Sequence, residues 1–107
     1  MKEDDAKILR TVPREKAFYF FTSIGNYTGE NASSLKEFME KIGKVDVKSL
    51  EFHLQRGDFE RWMAEVLQDE KLAQEICKLR NLNVLGEMLK ESLCKVVTER
   101  YKELVSS

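Results

Sequence analysis

A glycine followed directly by an aspartate, Gly57-Asp58, separates two apolar-patterned segments near the middle of the chain. Glycine just past a helix favours the left-handed backbone conformation that ends the helix. Aspartate favours the start of the next helix, because its carboxylate accepts hydrogen bonds from the first free backbone N–H groups. The pair therefore predicts a helix over residues 47–56, a tight turn, and a second helix capped by Asp58. The only His and the only Trp of the chain, His53 and Trp62, lie on either side of this turn.

Other segments carry comparable helix signals. Ser34, followed three residues later by Glu37, has the arrangement of a capping box. Apolar residues at helical spacing follow it, and Gly43 then ends the segment. Asp46 and Asp69 are the expected caps of two more helices. Asn83 is expected to open a long C-terminal helix over residues 84–105.

The aromatic run at residues 17–22 is ambiguous, because four consecutive aromatic residues suit either a buried strand or one buried helical turn. No other segment alternates like a partner strand, and a lone strand leaves its backbone groups unpaired. We therefore expect a helix here, with a loop over residues 25–33. The predicted fold is all-α, a compact bundle of about five to six helices. It forms one helical domain over residues 1–107, in which residues 1–12 are a charged, frayed lead-in whose Ile8, Leu9 and Val12 are available to pack on the core.

Composition excludes several classes of protein. With 18 basic and 19 acidic residues the net charge is −1, which gives no field to attract nucleic acid or an anionic membrane. No apolar run approaches the roughly 18 residues of a membrane span, and no apolar leader begins the chain. We expect a cytoplasmic protein with a thermophile-like abundance of Lys and Glu. Cys77 and Cys94 are expected to be free thiols, and neither a metal site nor a cofactor is predicted.

Four residues near the Gly57 turn are candidates for ligand binding: His53, Arg56, Asp58 and Trp62. Each has a plainer structural role, because a buried His bridges helix ends, an Asp caps a helix, a Trp fills a core and an Arg forms surface ion pairs. Asp58 also lies close enough in sequence to hold the His53 ring and tune it as a base or ligand. No Ser, Thr or Cys nucleophile pairs visibly with His53, so no catalytic residue is assigned.

One pattern extends across more than half of the chain. A Phe-Tyr-Phe-x-Thr start is followed by Thr-Gly-x-x-Ala-x-Ser-Leu, a Phe-His pair and Gly-Asp-Phe-x-x-Trp. This pattern, between Phe18 and Ile76, resembles a family of small archaeal and bacterial domains of unknown function. The matching residues are Phe18, Tyr19, Phe20, Thr22, Thr28, Gly29, Ala32, Ser34, Leu35, His53, Asp58, Phe59, Trp62, Leu67, Asp69, Leu72 and Ala73. The resemblance implies no activity or cofactor.

These observations favour a non-enzymatic binding or regulatory module over an enzyme. The alternative is a small-ligand-binding protein or small enzyme, with a pocket near His53, Asp58 and the 25–33 loop. A homodimer through the C-terminal helix is also expected, alongside a possible protein partner. That helix is long for a domain of this size, and Met88 and Cys94 lie off its main apolar stripe. Arg100 falls within the stripe, so either its stem runs along the apolar surface to reach water, or the helix end leaves the core and meets Glu99 or Glu103 of an antiparallel copy.

Overall fold

The computed structural model describes residues 3–106, which form six helices and a two-stranded antiparallel sheet. A short 3₁₀ turn, Arg14–Lys16, precedes the sheet, and the fourth helix continues directly into a π-helical segment, Trp62–Leu67. The elements in chain order are α1 (Glu3–Ile8), β1 (Phe18–Ser23), β2 (Asn26–Ala32), α2 (Leu35–Ile42), α3 (Val47–Arg56), α4 (Asp58–Arg61), α5 (Glu70–Asn81) and α6 (Gly86–Ser106).

The prediction of an all-α fold is wrong, because the aromatic run forms β1 and most of the predicted 25–33 loop forms β2. The two strands pair antiparallel as a hairpin, in which Ser23 faces Asn26 across the turn. Gly25 has φ +81°, a conformation that glycine adopts without strain in a tight turn. Register shifts interrupt the ladder, so β2 lacks the regular alternation by which a strand is recognised in sequence. The fold is helix-rich but mixed α/β.

The hairpin is held by helices on two sides. α2 packs against β2, while α3 packs along β1. Phe18 and Phe20 of β1 are buried among aromatic rings from these helices, whereas Tyr19 between them is partly exposed. Alternation of this kind is what a strand with one face on the core produces. The hairpin is therefore part of the core and lies directly beside α3.

Most predicted helix ends are confirmed. The Ser34 Oγ accepts a hydrogen bond from the Glu37 N–H at 3.2 Å, and the Glu37 carboxylate accepts one from the Ser33 N–H at 2.9 Å. Asp46 and Asp69 accept from backbone N–H groups in the first turns of α3 and α5. Gly57 ends α3 with φ +74°. Side-chain caps of this type are recognisable in sequence because they join residues only two to four apart.

The helix after Gly57 differs from the prediction in two ways. Asp58 does not cap it, because its carboxylate is bonded to other side chains and Gly57 stands at the N-cap without a side-chain bond. The helix also widens at Trp62–Leu67, where Trp62, Met63 and Leu67 are all buried. The Val66 carbonyl in this segment accepts a bond from Arg10, 56 positions earlier, at 2.7 Å.

The long C-terminal helix is present as α6, and it lies against α2, α3 and α5. It starts at Gly86 rather than Asn83, where the Glu51 side chain of α3 accepts the Gly86 N–H at 2.8 Å. Arg100 bonds to Asp69 of the same chain at 2.9 and 3.1 Å. Arg100 therefore does not need a second copy for its partner, and the argument that it points to one is wrong.

The N-terminal segment packs on the core through apolar residues that the sequence made available for this. Of the predicted lead-in, residues 1–2 lie outside the described residues, and Glu3–Ile8 forms α1. Ile8 and Val12 are buried, and the Val12 N–H donates to the Ser33 carbonyl at 2.7 Å. Within residues 3–106, none of the helices combines the length and the apolar character needed to cross a membrane.

Candidate functional site

His53 joins α3 to the hairpin through both of its ring nitrogens. Its Nε2 accepts a hydrogen bond from the Phe21 backbone N–H at 2.8 Å, across 32 positions of sequence. Its Nδ1 lies 2.9 Å from the Asp58 carboxylate. Because a backbone N–H only donates, Nε2 carries no proton, and Nδ1 is the atom that donates to Asp58. The His53 side chain is 6% exposed, and its ring has a fixed tautomer with both nitrogens satisfied.

The Asp58 carboxylate is the centre of this cluster. One oxygen accepts from His53 and from the Arg56 Nε, the latter at 3.1 Å, and the other oxygen accepts from Arg61. One carboxylate thus faces two guanidinium groups and a neutral imidazole. This arrangement explains why Asp58 does not cap its helix: its oxygens are already occupied by side chains.

The cluster shifts the pKa of both central groups. Burial lowers the pKa of His53 below its ordinary value of 6.5 and outweighs the opposing effect of Asp58. For Asp58, burial acts to raise the pKa, but the bonds from His53 and Arg56 outweigh it, and the pKa lies below its ordinary 3.8. At neutral pH the pair therefore consists of a neutral imidazole and a carboxylate.

A groove of about 350 Å³ opens beside this cluster, between β1 with the hairpin turn on one side and α3 on the other. Its exposed wall is mostly apolar, and Arg56 lies at its rim with half of its side chain exposed. Ile24, in the turn, is 85% exposed. The lining residues are Ala17, Phe18, Tyr19, Phe21, Ser23, Ile24, Gly25, Phe52, His53, Arg56 and Asp58.

Three of the four candidate residues line this groove, and the fourth does not. His53, Arg56 and Asp58 all line the groove, whereas Trp62 does not. Trp62 is 6% exposed, stacks on Phe38 with ring centres 5.5 Å apart, and donates from its indole N–H to the Lys16 carbonyl at 2.8 Å. These contacts place Trp62 in the core, where its polar atom is satisfied.

The family comparison covers nearly all of the described chain. A family model whose description is "Family of unknown function (DUF5752)" matches residues 13–106. The chain belongs to this family. The match to DUF5752 includes α6, which lies beyond the Phe18–Ile76 pattern that first indicated a resemblance. No curated protein matches the chain, and no solved structure matches it either.

The sequence pointed to a pocket near the 25–33 loop, whose Gly25 lines this DUF5752 groove, but it did not indicate the contributions of Phe21, Ile24 and Phe52. Phe21 contributes a backbone N–H, which has no sequence signature, and Ile24 was assigned to no element. The sequence contains one such signal, Gly25-Asn26, because glycine beside asparagine between two strand-like segments is typical of a hairpin turn. Phe52 was passed over because it lies off the apolar stripe of α3, where Leu50 and Leu54 face inward.

Proposed function

We propose that this DUF5752 chain is a non-enzymatic binding module and that the groove between the hairpin and α3 is its binding site. The observation that supports this is the hydrogen bonding of His53 beside the groove. Both of its nitrogens are engaged within the chain, yet the groove beside it is open and apolar. Apolar concave surfaces with a few convergent polar groups are where proteins take up ligands.

The enzymatic alternative has less support from the same geometry. A general base needs a free lone pair within hydrogen-bond reach of the proton it removes. The Nε2 lone pair of His53 already accepts from Phe21, and Asp58 is bonded to three side chains. Using either group would require the hairpin to separate from α3, at the cost of a buried hydrogen bond.

Selection from a displayed library of random octapeptides tests this function. The wild-type protein is expected to enrich peptides whose binding depends on the groove. In the variant Ile24→Ser, binding should weaken about tenfold, because an apolar side chain in contact with a ligand contributes on the order of 1–2 kcal/mol. Ile24 is the appropriate position because it is exposed and its loss leaves the core intact.

The matched control is Leu82→Ser. Leu82 is 72% exposed, follows α5 and lies outside the groove, so its loss removes similar apolar surface elsewhere. Binding to this variant should equal binding to the wild type. If no peptide is enriched, or if the enriched peptides bind Ile24→Ser as well as the wild type, the groove is not the binding site.

A further inference from the structure

Arg56 is held in a fixed orientation at the rim of the groove. Its Nε donates to Asp58 at 3.1 Å, and its guanidinium carbon lies 5.1 Å from the centre of the Phe52 ring. These two contacts hold the planar group by one edge and one face. An arginine that is already oriented loses less conformational freedom when a ligand binds than a mobile surface arginine does.

The opposite edge of the Arg56 guanidinium is available. Among residues 3–106, neither Nη atom of Arg56 has a hydrogen-bond partner, although the side chain is half-buried. Two parallel N–H groups in one plane match the two oxygens of a carboxylate. The groove thus has an unoccupied pair of donors at its rim.

The charge around Asp58 also favours an anion. Two guanidinium groups, from Arg56 and Arg61, share one carboxylate, while His53 is neutral because burial lowers its pKa. The cluster therefore carries one excess positive charge, to which Arg61 contributes from outside the groove lining, although the whole chain has a net charge of −1. A carboxylate that approaches Arg56 meets no uncompensated negative group of the cluster.

The apolar wall lies beside these donors. Phe52 on α3, Phe21 on β1 and Ile24 in the turn all line the same groove as Arg56. A volume of about 350 Å³ accommodates one or two bulky side chains rather than a large cofactor. Together, the wall and the guanidinium match a bulky apolar group that has a carboxylate next to it.

We infer that the groove binds an extended peptide segment of a partner protein, in which a bulky apolar side chain adjoins an acidic one. The apolar side chain lies against Phe52 and Ile24, and the carboxylate bonds to the Nη edge of Arg56. This inference rests on the proposed binding function and adds the chemistry of the partner.

The test uses octapeptides selected on the wild-type protein. Peptides that depend on Ile24 should carry Asp or Glu beside an aromatic or aliphatic residue. For such a peptide, Arg56→Gln should weaken binding about tenfold, whereas the amide form of the same peptide, with Asn or Gln replacing the acid, should bind both proteins equally. Lys36→Gln is the matched control, because it removes one positive charge from an exposed site on α2 and should leave binding unchanged.

Circular dichroism establishes that each variant is folded. Arg56→Lys provides a second measurement if Arg56→Gln does not fold, because it keeps the charge but loses the paired donors, and binding should fall several-fold. Two outcomes would overturn this inference and leave the proposed binding function intact. In the first, the peptides that depend on Ile24 carry no acidic residue; in the second, acidic peptides bind Arg56→Gln as tightly as the wild type. The absence of any Ile24-dependent peptide overturns both.

Discussion

At the scale of single residues, protonation of His53 would break the hydrogen bond that joins α3 to the hairpin. The His53 Nε2 accepts from the Phe21 N–H, and protonation would place two donors face to face. Burial also disfavours the charged ring, so the pKa of His53 in the folded chain lies below 6.5. The link between α3 and the hairpin therefore depends on a neutral imidazole.

A pH dependence of stability follows from this shift. Below about pH 6.5 the unfolded chain binds a proton at His53 and the folded chain does not, so stability falls as pH falls through that value. The neutral His53 contributes fully to the free energy of unfolding above pH 6.5. This free energy decreases as the pH falls from 6.5 to the pKa of His53 in the folded chain. Over this interval the free energy of unfolding changes by at most about 1.4 kcal/mol per pH unit. Urea unfolding at pH 7.5 and at about 5.5 measures it.

His53→Gln is the control for this pH effect, because glutamine offers an acceptor to Phe21 but does not titrate. Since the chain contains one His, this variant should have a flat profile across the same interval. The lowered pKa of Asp58 acts separately, below its ordinary value of 3.8, where protonation of the carboxylate removes its bonds. A wild-type profile as flat as that of His53→Gln would contradict the assigned tautomer and burial.

Trp62 gives a second test at the residue scale. Its ring is buried against Phe18 and Phe38, so its fluorescence should lie at shorter wavelength than that of free indole in water and shift on unfolding. Trp62→Ala should cost about 3–5 kcal/mol of stability, because a large buried ring leaves a cavity. Trp62→Phe fills most of that space and loses only the bond to the Lys16 carbonyl, so it should cost about 1 kcal/mol. Emission at the wavelength of free indole from the folded chain would refute this placement.

At the scale of elements, the hairpin is the feature that positions the groove. Its turn supplies Ile24 and Gly25 to the lining, and its first strand supplies the N–H that His53 accepts. An isolated two-stranded hairpin is marginal in water. The helices α2 and α3 provide the surfaces that stabilise it.

Gly25→Ala tests the turn. With φ +81°, an alanine at this position is strained, although an added Cβ meets no atom within 4 Å. The free energy of unfolding is expected to fall by about 1–2 kcal/mol, entirely because of backbone strain at the positive φ angle. Gly43→Ala is the control, because Gly43 has φ −80° and a helical backbone that alanine adopts freely. Thermal unfolding of the two variants compares them, and equal melting temperatures would argue against this turn geometry.

At the scale of the whole molecule, the assembly state is still a prediction. Two apolar residues of α6 are exposed, Met88 near its start and Val105 near its end. In an antiparallel two-fold pair, Met88 would oppose Val105 of the second copy, and Glu91 would oppose Lys102. We keep the prediction of a dimer through this helix on that basis, and not on Arg100.

Sedimentation at micromolar concentrations tests the assembly. The wild type is expected to have twice the mass of the 12.5 kDa chain, and Met88→Glu is expected to shift it toward the monomer. Ile24→Ser, at an exposed apolar residue far in sequence from α6, should not change the mass. Truncation after Val97 is a poorer test because it removes Leu104, which is buried in the core. A monomer at every concentration would refute the dimer.

The sequence by itself determined the local features: the caps at Ser34, Asp46 and Asp69, the stop at Gly57 and the long α6. These depend on a side chain and backbone groups within about four residues, so the interacting groups are adjacent in sequence. It also placed His53, Arg56 and Asp58 close together, because they lie within one helix end and its turn.

Only the tertiary structure decided the rest. The strand β2 has a bulged ladder and no apolar alternation, so its identity depends on pairing with β1. The Phe21–His53 and Arg100–Asp69 bonds join residues 32 and 31 positions apart. The Asp58 carboxylate does not cap its helix, because it accepts hydrogen bonds from His53, Arg56 and Arg61 instead of from backbone N–H groups. Such choices depend on which groups the fold brings within hydrogen-bond distance, and neither periodicity nor propensity encodes that distance.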